Sequence, residues 1–192
     1  MAPEHGDAKL HESARILIRR LTPEDQDEFT GLVRVSAELL HPWVYLPSTP
    51  AKFDEYLERF DGRTAECTLI CARESGAIVG TVTINDIIRG PYQRATVGYN
   101  AFSPSAGKGF MTEGLNLIFR YAFDDLRLHR LEADIQPGNI PGLNFARKVG
   151  FVREGYSPGF VLINGSWKDH ERWAINRDMV ASEQVSTCPG PA

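Results

Sequence analysis

The chain has little sulfur, no basic stretch and no long apolar run, and each lack removes a class of function. Only three cysteines occur among 192 residues, Cys67, Cys71 and Cys188, which is no disulfide framework. Cys67 and Cys71 sit in an apolar run from Glu66 to Arg73, where a thiol packs as a small hydrophobe. No basic partner marks either as a nucleophile. The five histidines (His5, His11, His41, His129, His170) have no ligand spacing to one another or to a cysteine, so no metal site is expected. No apolar run approaches the roughly 18 residues of a membrane span. Met1 to Glu12 is polar and lacks the apolar core of a secretory signal, so a cytoplasmic location is expected. The net charge is −4 with both signs mixed along the chain, which argues against nucleic acid as a direct partner. A mildly acidic surface suits a cationic amine.

What remains is an ordinary globular composition, 42% hydrophobic and 24% charged. A domain of this length buries about 70% of its unfolded surface and needs no covalent staple. No linker or repeat divides it. Residues 1–12 and 181–192, the second rich in Ser, Thr, Pro and Gly, are expected as flexible tails around a single domain at 13–180.

Ile16 to Leu21 reads as a first strand. Thr22-Pro23-Glu24-Asp25 then opens a helix, with an N-cap, a proline at the first helical position and acids in the first turn. Helical spacing continues to Leu40. Thr49-Pro50 opens a second helix with Phe53, Tyr56, Leu57 and Phe60 on one face. Between them lies an aromatic loop, 41–47, read as packing between helices, with a substrate wall as the alternative. Cys67 to Arg73 and Ile78 to Asn85 form a hairpin about Ser75-Gly76, and Ala95 to Phe102 is a further strand. A helix runs from about Phe110 to Asp124, and Leu131 to Ile135 alternates as a half-polar strand. Asn139 to Val149 is a short helix stopped by Gly150. Phe160 to Ile163 and Glu171 to Ile175 are the last strands, turned at Asn164-Gly165. The class is mixed α/β.

Chemistry concentrates in 105–113, Ser-Ala-Gly-Lys-Gly-Phe-Met-Thr-Glu, between a strand and a helix. Two glycines let backbone N–H groups converge, and the helix N-terminus adds partial positive charge, so the segment suits a phosphate or pyrophosphate. Lys108 could add direct charge. It is not a Walker A loop, because Lys108 is followed by Gly109 and not Ser or Thr. It is not a dinucleotide fingerprint, because position 112 is Thr112 and not glycine.

The surroundings add to this. Val97-Gly98-Tyr99-Asn100 precedes the loop, and 129–135 (His-Arg-Leu-Glu-Ala-Asp-Ile) follows its helix. Asn139, the run Ala146 to Gly155 and the run Asn164 to His170 come after. This ordered set resembles the GNAT superfamily of N-acetyltransferases, and within it the RimJ/RimL-type protein N-terminal acetyltransferases, from about Arg15 to Arg177. The resemblance implies a GNAT fold: a mostly antiparallel mixed sheet with splayed central strands, flanked by helices. It implies acetyl-CoA as the donor and no metal. Ala106, Gly107, Lys108, Gly109, Phe110, Met111 and Thr112 would cradle the pyrophosphate. Main-chain groups at Asn100, Ala101 and Phe102 would pair with the pantetheine arm. Asn139 would contact the cofactor as well as cap its helix, and Asn144 and Arg147 would lie on its far side. A homodimer is left open.

The chain departs from the family pattern at three places. Ala106 stands where Gln or Arg usually begins the phosphate loop, Gly142 where a serine is frequent, and Ala146 where many members carry a tyrosine as general acid. The proton donor to the leaving thiolate is thereby unassigned. As base, Asp134 on its strand's polar face is preferred, with Glu38 and Asp86 as alternatives; Glu113 reads as a helix-dipole partner. The resemblance implies direct attack of an amine on the thioester, needing no covalent intermediate. An α-amine with a pKa near 7.7–8.0 is about a tenth neutral at pH 7, against roughly one lysine in 2,500. A site without a strong base thus suits a protein N-terminus. A small-molecule amine acetyltransferase and a silent acyl-CoA-binding module are the competing readings.

Overall fold

The computed structural model describes residues 9–180; the expected tails at 1–8 and 181–192 lie outside them. Eight strands form one sheet: β1 (Lys9–Glu12), β2 (Ile16–Arg20), β3 (Glu66–Ala72), β4 (Ile78–Ile88), β5 (Arg94–Ala101), β6 (Arg130–Ile135), β7 (Val152–Ile163) and β8 (Ser166–Asn176). Their order in space is β1-β2-β3-β4-β5-β6-β8-β7. β5 and β6 run parallel and the other neighbours antiparallel. The GNAT-type mixed α/β architecture expected from the sequence is present.

Two cores sandwich the sheet, as period-two alternation dictates. Leu69 and Cys71 of β3 point to helices α1 (Gln26–Val35), α2 (Ala37–Leu40) and α3 (Pro50–Leu57). Ile70, between them, points to α4 (Phe110–Arg120) on the other face, where α5 (Ile140–Lys148) also packs. In the first core, Phe29 meets Phe53 and Phe102 edge-on at centroid distances of 5.5 and 5.6 Å. Such pairs contribute about 0.5–1.5 kcal/mol each beyond area burial. In the second, α4 lies so close to the sheet that a Cβ on Gly114 would fall 2.5 Å from Ile70 Cδ1.

Four expectations need correction. Residues 9–12 are a strand paired with β2, not tail. The helix after Thr22 does not run unbroken to Leu40. It breaks at Ser36, whose buried hydroxyl accepts the Ser103 N–H at 2.9 Å and so ties α1 to the loop after β5. β4 runs past Asn85 to Ile88 through a bulge where Asp86 takes φ +51°. β7 and β8 are 12 and 11 residues long, not four and five. Asp169 holds the irregular part of β7: its carboxylate accepts the Gly159 N–H at 2.7 Å and the Tyr156 hydroxyl.

Candidate active site

The site begins with the parting of two strands. β5 pairs with β6 at Arg94–Arg130, Ala95–Leu131 and Thr96–Glu132, and there the pairing stops. β5 continues along β4 to Ala101, and β6 along β8 to Ile135. The facing main-chain edges of 97–101 and 133–135 are left without a strand partner, on either side of a V-shaped gap.

The loop after β5 supplies the second element. Gly107 and Gly109 take φ +76° and +80°, a region that only glycine enters freely. A Cβ on Gly107 would meet nothing within 4 Å, so the demand there is conformational, not steric. Past Ala106, the next N–H with an acceptor is that of Glu113, to the Gly109 carbonyl at 3.2 Å. Among the described residues the amides of 107–112 have none. These donors, at the positive end of α4, make a candidate anion nest. Glu113 secures it from behind: its carboxylate accepts from the Ser13 hydroxyl and from Arg15 Nε at 2.8 Å. The Ser13 hydrogen bond, then the Arg15 bonds and charge, hold that carboxyl below its ordinary pKa.

Gap and nest open into one cavity of about 320 Å³. Of the residues expected on a cofactor, Asn100, Ala101, Ala106, Gly107, Gly109, Phe110, Met111, Thr112 and Asn139 line it. Four do not. Phe102 is fully buried in the first core, and both its main-chain groups are engaged, N–H to Val79 and C=O to Ser105. Lys108 folds back so that Nζ donates to the Pro104 carbonyl at 3.0 Å. Arg147 donates to Asn144 at 3.1 Å and stacks over Trp173. Asn139 caps α5 by accepting the Gly142 N–H at 3.0 Å. Leu39, Leu40, Trp43, Val44 and Lys148, none of them among the residues expected on the cofactor, also line the cavity. The aromatic loop is therefore a wall of the site and not only packing.

At the mouth of the gap, Tyr99 donates its hydroxyl to the Gly142 carbonyl at 3.1 Å and packs on Phe145. Burial pushes its phenol well above the usual range. Through this mouth the cavity meets a broader cleft of about 910 Å³ on the other side of the gap. Trp43, Val44, Tyr99, Asn100, Asn139 and Gly142 border both. The cleft's charged lining is two carboxylates, Asp86 and Asp134, against three arginines, Arg59, Arg94 and Arg172.

The candidate bases separate here. Asp134 stands in the cleft wall, with Oδ1 2.5 Å from Arg172 Nε but without the alignment a hydrogen bond needs. Burial raises its carboxyl, and the Arg172 charge partly offsets this. Asp86 lies on the cleft's rim, exposed. Glu38 is exposed on α2 and lines neither cavity, so the structure does not bring it to the site. Among the described residues no cluster could hold a metal ion, and no helix is long and apolar enough to cross a membrane.

Residues 15–152 match the family model described as an acetyltransferase (GNAT) domain, and the gap and nest lie within that span. The chain belongs to the GNAT acetyltransferases. It is 39% identical over 168 residues to a "probable N-acetyltransferase YjcK" of Bacillus subtilis, covering 83% of this chain and 93% of that one. It is 32% identical to the ribosomal protein uS5-alanine N-acetyltransferase of Escherichia coli, over about half of each chain (51% and 50%). Among solved structures, the ribosomal-protein-S5-alanine acetyltransferase of Vibrio fischeri superposes with a TM-score of 0.76 at 26% identity, over 90% of this chain and 98% of that one. The Vibrio cholerae spermidine N-acetyltransferase with CoA and spermine superposes at 0.73 with 19% identity, over 88% and 99%; that likeness concerns the fold alone. This acetyltransferase is therefore RimJ/RimL-like, and its family uses acetyl-CoA. The residues present fit such a donor. The nest offers unpaired amides to a diphosphate, and the open edge of β5 offers main-chain partners to an extended amide-bearing arm.

Proposed function

We propose that this acetyltransferase transfers the acetyl group of acetyl-CoA to a primary amine, and that the acceptor is the α-amine of a protein or peptide. The donor supplies an activated acyl group on a thioester. The amides of 107–112 bind its diphosphate, the β5 edge orients its arm, and the mouth bordered by Tyr99, Asn139 and Gly142 aims the thioester at the cleft. Holding both reactants in this geometry supplies much of the rate.

The charge of the cleft carries the choice of acceptor. Three arginines against two aspartates make a wall of mixed sign, where a polyamine with several cationic nitrogens would need carboxylates in excess. A peptide terminus carries one ammonium followed by amide groups of both polarities, which such a wall can meet. The named relatives acting on ribosomal-protein alanine support the same acceptor class.

The test is thiol release from acetyl-CoA against a panel of free N-terminal peptides, their N-acetylated counterparts, lysine side-chain peptides and polyamines. Turnover is expected with free N-termini and not with the blocked ones. Preferential turnover of spermidine would overturn the acceptor assignment, and no turnover of any amine would favour the silent binding module.

A further inference from the structure

Asp134 looked the best base in the sequence, but its position argues against that role. Its Oδ1 is sealed from solvent and faces the Arg172 guanidinium at 2.5 Å, so that oxygen is not offered to an acceptor amine. One strand over, His170 on β8 is 4% exposed and lines the same cleft. Its Nδ1 lies 3.0 Å from the Lys168 carbonyl. A carbonyl only accepts, so Nδ1 carries the proton and Nε2 keeps its lone pair in the neutral ring. Nε2 has no protein partner among the described residues. Nor is it among the side-chain atoms sealed from solvent without one, which are Asp134 Oδ1 and Arg172 Nε. It therefore keeps solvent access, on a residue that lines the cleft. The Phe160 ring packs edge-on against the imidazole from β7. The charged groups around it are Asp134 on β6 and Asp169 and Arg172 on β8, and both carboxylates sense its charge.

We propose that His170 is the base for the acceptor amine, with Asp134 a positioning residue that holds Arg172 and stabilises the imidazolium. The inference rests on the amine acetylation proposed above. Nε2 takes one proton from the acceptor ammonium, directly or through one water. The freed lone pair forms the N–C bond to the acetyl carbon while the C–S bond breaks. Of the two protons the nitrogen gives up, one ends on the departing thiolate and one in solvent, and the imidazole is regenerated. The backbone tether at Nδ1 fixes the tautomer this requires.

His170→Asn tests the idea with the fold kept, because its amide can still donate to the Lys168 carbonyl while Nε2 is gone. With a peptide that the wild type acetylates, kcat is expected to fall about 100-fold or more, with KM for acetyl-CoA little changed and the rise of kcat/KM with pH flattened. In His170→Ala, added imidazole should restore turnover, and 4-methylimidazole, the stronger base, should restore more. Asp134→Asn should slow the reaction yet keep the pH dependence. A wild-type kcat and pH profile in His170→Asn, or no rescue of a His170→Ala protein that still binds acetyl-CoA, overturns the proposal. Ring ¹⁵N spectra of the wild type decide the tautomer without turnover: protonated Nδ1 is expected, and protonated Nε2 in the neutral ring overturns the assignment. A wild type that acetylates no amine would instead defeat the reading of function.

Discussion

Replacing Gly109 by alanine separates the conformational requirement of the nest from its chemistry. The residue holds φ +80°, is exposed, and a Cβ there would have Arg15 Nη2 at 3.7 Å as its nearest neighbour. That is an ordinary contact, so no clash arises. The cost is the left-handed backbone alone, about 1–2 kcal/mol for a residue with a Cβ. In the free protein the exposed loop can relax to avoid it. On binding, the amides must converge again and the cost returns, so affinity for acetyl-CoA should weaken about 5- to 30-fold. Gly165→Ala is the control. Gly165 holds φ +75° with nothing within 4 Å of its Cβ position, but in the turn between β7 and β8. There the same strain should lower stability and leave affinity alone. Calorimetric titration with acetyl-CoA and urea unfolding of both variants measure the two effects. If Gly109→Ala binds within twofold of wild type while Gly165→Ala is destabilised as expected, the nest does not hold the donor.

Two further outcomes concern stability. In Gly114→Ala the new methyl would lie 2.5–2.8 Å from three atoms of Ile70, and overpacking of that kind costs about 1–3 kcal/mol. Thermal unfolding should show a loss of about 2–4 °C per kcal/mol, and an unchanged midpoint would mean that α4 sits farther from the sheet. Burial raises the Cys67 and Cys71 thiols from 9.0 to about 11. The folded state thus keeps protons that the unfolded chain releases above pH 9, so stability should be lost as pH climbs from 9 to 11, by on the order of 2–3 kcal/mol per thiol. Urea midpoints at pH 8 and 10.5 should converge in a Cys67→Ala/Cys71→Ala protein relative to wild type. Equal alkaline losses in the two would clear the thiols.

Local signals were read well where one residue type decides the backbone. Gly107 and Gly109 could only mark a special conformation, and Pro23, Pro50 and Asn139 mark helix starts near where they occur. The period-two pattern of 131–135 placed Asp134 on the polar face correctly. What failed depended on distant partners. Residues 9–12 are polar but for Leu10 and become a strand because β2 offers an edge. β7 extends back from Phe160 to Val152, across Gly155, Pro158 and Gly159, because β8 offers pairing there and the Asp169 carboxylate accepts the Gly159 N–H from ten residues away. Lys108 promised charge at the nest, but its long stem lets the ammonium find a nearer carbonyl. His170 gave no signal in isolation, since its significance lies in which ring nitrogen the backbone claims.

The parting of β5 and β6 also bears on how the molecule behaves when nothing fills it. Bare strand edges elsewhere invite a foreign chain to add itself and seed aggregation. Here the bare edge lies in the interior of the sheet, in a slot walled by Trp43 and Phe145. A slender chain can thread it, whereas a folded neighbour with its own side chains is turned away, so the acetyltransferase can keep a permanent seam without becoming sticky.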